Sequence, residues 1–193
     1  ISLLRNFGFK IDVHVMPDLP GSSPSLDKLM LQEILCSSNF QPDYLKIYPC
    51  LDVEHTEIRK WKHLGSWKPY SETISGESLL LDVCSHAKIH SKYWIRFNRI
   101  QRDFPEEKEG VIGYASLNIR SNFRQLLQNH CAKAGIFCKC IRCREVKNKK
   151  RQSYSFFSDK YFAADGYEYF ISCASPDRSV LYGFVRLRLS HNN

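Results

Sequence analysis

Three thiols crowd into one short stretch of the sequence, at Cys138, Cys140 and Cys143. A Cys-x-Cys-x-x-Cys spacing lets three thiolates converge on one tetrahedral zinc, with Zn–S distances of about 2.3 Å. Three ordinary cysteines are the alternative, but tight clustering of so scarce a residue favours a metal. Zinc is therefore the expected cofactor of this knuckle. A tetrahedral site needs a fourth donor, and His130 and Cys131 just upstream are the candidates. Spacing alone places neither, and a cysteine on a helix face is more often a small core residue. No other group of cysteines has the spacing of an iron–sulfur site.

A basic run surrounds the knuckle: Lys139, Arg142, Arg144, Lys147, Lys149, Lys150 and Arg151, opposed by Glu145 alone. A solvated linker is the usual reading of such a run. Interleaved with a metal knuckle, it points instead to contacts with a phosphate backbone. The whole chain leans the same way, with 28 Lys and Arg against 20 Asp and Glu, a formal +8 in 193 residues. That balance favours a polyanionic partner, although bulk charge also serves solubility. The other five cysteines are scattered. Residues 1–10 hold no apolar signal-peptide core. No run approaches the roughly 18 apolar residues of a membrane span. A reducing, cytoplasmic setting without a disulfide framework is expected, and no membrane partner. The sequence opens on Ile1 rather than Met, enters a strand almost at once and stops just after one, so it is expected to be a fragment.

The elements that must carry these residues follow from periodicity. Ile11, Val13 and Val15 alternate with Asp12 and His14, a short strand closed by Pro17 and Pro20-Gly21. Residues 26–35 predict a helix, 44–48 a strand stopped by Pro49, 56–63 a short helix and 75–90 a longer one. Residues 93–100 predict a third strand and 121–134 another helix, with Ser121 or Asn122 as its start and Gly135 as its stop. Alternating strands and helices argue a parallel α/β sheet or barrel, with functional residues at the carboxyl ends of strands. After the knuckle the pattern changes. Residues 154–162, 167–173 and 180–189 are aromatic or β-branched runs broken by Gly166 and by Ser175-Pro176-Asp177, which predicts an antiparallel meander.

Two strand ends look functional. One is the polar set from His14 to Gly21 beside its rigid turn. The other is formed by Lys46, Tyr48, Arg99, Gln101 and Arg102, with Asp103 placed to pair with Arg102. Lys46 and Arg99 can equally be read as residues that solvate a sheet edge, and physics alone leaves both readings open. The chain has no Gly-x-Ser-x-Gly elbow and no phosphate-cradling glycine loop.

Several strings in this sequence resemble one family. They are Lys10-Ile11-Asp12-Val13-His14-Val15-Met16-Pro17-Asp18-Leu19-Pro20-Gly21, then Phe40-Gln41-Pro42-Asp43 with Leu45-Lys46-Ile47-Tyr48-Pro49, then Trp67-Lys68-Pro69-Tyr70. Arg99-Ile100-Gln101-Arg102-Asp103-Phe104-Pro105 and Ser121-Asn122-Phe123-Arg124-Gln125-Leu126 follow in order. The last are Cys138-Lys139-Cys140-Ile141-Arg142-Cys143-Arg144-Glu145-Val146 and Leu181-Tyr182-Gly183-Phe184-Val185-Arg186-Leu187-Arg188. Together they resemble the catalytic subunit of the elongator complex, its third subunit. The match is weaker over residues 50–63 and 104–118.

The resemblance implies a tRNA-modifying enzyme that joins a radical S-adenosylmethionine barrel to a GNAT-type acetyltransferase domain. It implies carboxymethylation of C5 of the wobble uridine from acetyl-CoA, with S-adenosylmethionine and a 4Fe-4S cluster as further cofactors. It divides this chain into the C-terminal part of a partial (β/α) barrel (1–135), a zinc-binding basic linker (136–150) and the first antiparallel strands of the acetyltransferase domain (151–193). Lys46, Tyr48, Arg99, Gln101 and Arg102 would line the barrel mouth, near S-adenosylmethionine or a flipped-out base. The basic run would grip tRNA. Other elongator-type subunits or a second copy are the expected protein partners. The family's cluster loop and its acetyl-CoA loop do not occur in these 193 residues. This stretch alone is therefore expected to be inactive. A catalytically incomplete tRNA-binding module and a histone-type lysine acetyltransferase are the alternatives.

Overall fold

The computed structural model describes residues 1–51, 56–101, 122–150 and 153–190. Arg102, Asp103 and Arg151 lie outside the described residues. The expected initial strand is preceded by a short helix, α1 (Ser2–Asn6). Three strands follow, β1 (Asp12–Val15), β2 (Tyr44–Ile47) and β3 (Arg96–Ile100), paired parallel in the order β1-β2-β3. Helix α2 (Pro24–Cys36) connects β1 to β2. Between β2 and β3 run α3 (Glu57–His63), a 3₁₀ turn (Tyr70–Glu72) and α4 (Gly76–Ile89). Helix α5 (Phe123–Lys133) and the single turn α6 (Ile141–Arg144) follow β3. The chain then forms an antiparallel meander of β4 (Ser155–Phe162), β5 (Gly166–Ala174) and β6 (Leu181–Ser190). The α/β class and the change of pattern after the knuckle are as the periodicity predicts.

Local chemistry sets the helix ends. Ser23 caps α2 by accepting from the Leu26 N–H, and Pro24 occupies the first turn, where its missing N–H costs nothing. Thr56 caps α3 in the same way. Gly135 takes φ +66° after α5, a left-handed turn that lets the Ile136 N–H return to the Cys131 carbonyl. Gly76 opens α4 where a Cβ would fall 2.1 Å from the Ser71 carbonyl oxygen, so only glycine fits.

The parallel sheet has one covered and one open face. Val15, Leu45, Ile47, Phe97 and Ile100 face the helices and pack with Leu31 and Leu35 of α2, Leu80 and Val83 of α4, and Phe123 and Leu127 of α5. Phe97 and Ile100 both reach this core although they are three apart, because the register slips between Leu45 and Lys46. Strict alternation could not foresee that slip.

The loop after β1 is a structural clamp. Asp18 is buried and accepts from the Tyr70 N–H (2.7 Å) and the Ser71 N–H (3.1 Å). Its own N–H donates to Asp27, which also accepts from Ser22 and from the Tyr70 hydroxyl. Burial pushes the Asp18 carboxyl above its ordinary value, against these hydrogen bonds. The fold thus favours its protonated form. That contribution is fully present below the unfolded carboxyl range and is lost as pH rises through the raised native value. Asp18→Ala leaves two backbone donors without an acceptor and should lower stability by about 1–3 kcal/mol, read by urea denaturation. The variant should also lack this acid-range component of the pH profile.

Candidate metal centre

The turn that follows α5 builds the knuckle. Lys139 N–H donates to Ser91 Oγ, and Ile141 N–H to the Ile95 carbonyl, so the segment is sewn onto the start of β3. Cys140 is extended, and the turn beginning there brings Cys143 back, with its N–H on the Cys140 carbonyl. The three sulfurs lie within 4.8 Å of one another. Cys140 is fully buried, Cys138 half-buried and Cys143 exposed. The neighbouring Cys138 and Cys143 lower the pKa of the Cys140 thiol, and the same closeness raises that of Cys138. Such mutual contact among sulfurs is what a thiolate metal site requires. His130 and Cys131 do not join this cluster. Cys131 instead sits in the helix core, and no disulfide joins any of the eight cysteines.

A residue that the spacing of motifs does not announce completes the surroundings. Lys88 of α4 is 7% exposed, and its Nζ lies 3.7 Å from Cys143 Sγ and 4.6 Å above the Phe97 ring. Burial opposes its charge, but Cys138, Cys143 and Cys140 outweigh burial and raise its pKa above the ordinary value. A signal existed: Lys88 follows Cys84 by one helical turn, on the face that α4 buries.

The basic run divides into two groups. Arg144 is 3% exposed, donates to the Lys139 and Tyr93 carbonyls (both 2.7 Å) and covers the Tyr93 ring. It braces the knuckle from within. Arg142 donates to the Asn98 carbonyl. Lys139, Lys147, Lys149 and Lys150 are exposed. Opposite them, Glu145 pairs with Arg96 and bridges to Leu181 of β6.

Of the strand-end residues, Lys46 and Arg99 are register partners on the open face of the sheet, with His14 beside Lys46 on β1. Lys46 pairs with Asp12 at 2.8 Å. Tyr48 follows β2 and packs edge-on to His14. Gln101 is buried at the end of β3 with φ +67°, its N–H on the Ile47 carbonyl. Four of the five expected residues thus gather at the carboxyl ends of β2 and β3.

A buried charge cluster joins the two sheets. Asp43, just before β2, takes the Ile11 N–H (2.8 Å) and the guanidinium of Arg186 from β6. Arg5 of α1 lies 3.7 Å from Asp43 and 2.6 Å from Glu168 of β5. Glu168 also accepts from Tyr161 and Arg188. Beside this cluster Trp94 stacks flat on Tyr161, with centroids 4.0 Å apart.

This pairing of a parallel sheet with an antiparallel meander has known counterparts. Residues 42–133 match the Radical_SAM C-terminal domain family. The chain is 37% identical over 196 residues to a tRNA uridine(34) acetyltransferase of Methanocaldococcus infernus, covering 96% of this chain and 34% of that protein. It is 31% identical over 193 residues to Elongator complex protein 3 of Homo sapiens, covering 96% of this chain and 33% of that protein. The solved structure of the archaeal M. infernus Elp3 with an N-terminal deletion superposes with a TM-score of 0.85 at 35% identity, covering 98% of this chain and 44% of that one. Over residues 42–133 the chain is thus similar to the Radical_SAM C-terminal domain family, and an antiparallel sheet follows that stretch. The chain is homologous, over nearly its whole length, to the tRNA uridine(34) acetyltransferase and Elongator complex protein 3 proteins. It spans about a third of the length of these curated relatives. Among the described residues, no helix is long and apolar enough to cross a membrane.

Proposed function

We propose that this chain is the joint of a tRNA wobble-uridine-modifying enzyme, linking a radical-SAM barrel (1–135) through a zinc-binding linker (136–150) to an acetyltransferase-type sheet (151–193). The observation that carries the proposal is the match of 98% of this chain, both sheets included, to one archaeal Elp3 structure. Cys138, Cys140 and Cys143 would hold zinc, and their donor set fits that soft, tetrahedral metal. S-adenosylmethionine with a 4Fe-4S cluster would supply radical chemistry, and acetyl-CoA the carbon unit added to the base. Within this segment, Lys46, Tyr48 and Arg99 on the open face would orient a charged cofactor or an extruded uridine.

Exposed Lys139, Lys147, Lys149 and Lys150 would grip tRNA phosphates, whereas Arg144 is committed to the interior. The test is tRNA anisotropy in the full-length protein across a salt series. Log affinity should fall steeply with log salt, and Lys147→Glu/Lys149→Glu/Lys150→Glu should flatten the slope by about one unit for each phosphate no longer gripped. Affinity independent of salt, or unchanged in the triple variant, would sink the assignment.

A further inference from the structure

We infer that the metal held by Cys138, Cys140 and Cys143 keeps its fourth coordination position open to a side cavity, where it takes a thiol-bearing anion from solution. This rests on reading the triad as a metal centre and goes beyond it, because a purely structural zinc site is closed by four protein ligands. Cys140 closes the core side, fully buried beneath the helices. Cys138 and Cys143 instead line a cavity of about 590 Å³ between α5, the knuckle and the β5–β6 turn. That volume suits a small-molecule ligand.

No fourth Cys, His, Asp or Glu joins the three sulfurs among the described residues. Cys131 lines the same cavity but stands outside the mutual cluster. The charge of the walls selects the ligand. Lys88, Lys139, Arg144, Lys149 and Arg178 border the space. Arg144 is spent on two backbone carbonyls and Arg178 on Asp159, which leaves Lys88, Lys139 and Lys149, and the single carboxylate of the lining is Asp177. Asp177 is already committed, its Oδ1 accepting from Ser175 Oγ, Ser179 N–H and Ser179 Oγ. Tyr93 and Phe137 supply aromatic wall, and Phe137 is 87% exposed at the rim. Three thiolates on a divalent metal carry one net negative charge, and the adjacent Lys88 cancels it. A fourth, incoming thiolate then meets the exposed Lys139 and Lys149 and not a like charge. A thiol fits best, since thiolate is the softest common donor and the metal already holds three. Its proton leaves to solvent as the metal–sulfur bond forms.

Cobalt(II) substitution of the full-length protein tests this by optical spectroscopy, with cobalt content measured on the same sample. Mercaptoacetate is the probe, with acetate as the carboxylate-only arm. Mercaptoacetate should produce a saturable growth of the sulfur-to-cobalt absorption and a shift of the ligand-field bands, and acetate should leave the sulfur absorption unchanged. Lys88→Met should weaken the mercaptoacetate titration about tenfold or more. The exposed Lys139→Gln should weaken it in the same direction, which covers the case in which the buried variant fails to fold. Cys131→Ala should leave the starting spectrum intact. Bound cobalt with a spectrum indifferent to mercaptoacetate, or one that loses a sulfur band in Cys131→Ala, overturns the open site while keeping the metal centre. Failure to bind cobalt or zinc at all overturns both.

Discussion

Cys140→Ser should abolish metal binding and destabilise the protein by on the order of 4 kcal/mol or more, a loss characteristic of a forfeited metal site. Cys140 has no exposed surface and belongs to the same core as Leu127, Phe97 and Cys84. Its sulfur is the point on which Cys138 and Cys143 converge. Serine removes a soft ligand and leaves a hydroxyl among apolar side chains, so the two losses add. Cys84→Ser separates them. It buries a hydroxyl in the same core without touching the triad, and should cost about 1–3 kcal/mol with metal retained. Metal content by elemental analysis, alongside urea denaturation, reads both effects. Equal zinc in wild type and Cys140→Ser would end the metal assignment.

Asp43→Ala should cost about 3–5 kcal/mol, because it strips the anion from a buried cluster and leaves its cations facing one another. Asp43 is 1% exposed and stands between Arg5 and Arg186, while Glu168 already serves Arg5, Arg188 and the Tyr161 hydroxyl. Nothing else in the cluster can take up the freed charge. The same substitution removes the acceptor of the Ile11 N–H at the entry to β1. Asp43→Leu paired with Arg186→Met should recover most of the loss, since replacing a buried ion pair by apolar groups is close to neutral. Urea denaturation of the wild type, Asp43→Leu, Arg186→Met and the double variant forms the cycle. Strictly additive costs for the two single changes would contradict a direct Asp43–Arg186 coupling. A split transition in Asp43→Ala would mean that this cluster is what makes the two sheets unfold as one.

Much of the architecture is legible because it is written in local periodicity. The alternation at Ile11–Val15, the prolines after β1 and β2, and Gly135 after α5 each act within a few residues. The three cysteines are legible for the same reason, and they do converge. What escapes depends on partners far along the chain. Arg186 reads as one more solvent cation in a polar–apolar alternation, yet its partner Asp43 lies 143 residues away. Arg144 reads as part of a phosphate-binding run, yet two backbone carbonyls draw it inward. Lys88 reads as a helix-end cation, yet the sulfurs it faces are supplied by a turn 50 or more residues later. The initial helix α1 escapes because its purpose is to deliver Arg5 to Glu168. The polar set after β1 reads as a candidate site, but at Asp18 it is a clamp on the 3₁₀ turn.

The flat stack of Trp94 on Tyr161 gives this joint an optical signature of its own. Of the three tryptophans, Trp61 and Trp67 belong to the region between β2 and β3, and Trp94 alone lies against a residue of the antiparallel sheet. Its indole N–H is tied to Gln41, and Arg186 donates to its carbonyl. Fluorescence from a Trp61→Phe/Trp67→Phe background therefore watches one place only, the contact where the two halves meet. Separation of the halves would change the emission of a single native fluorophore, with no label attached and no residue of the metal centre disturbed.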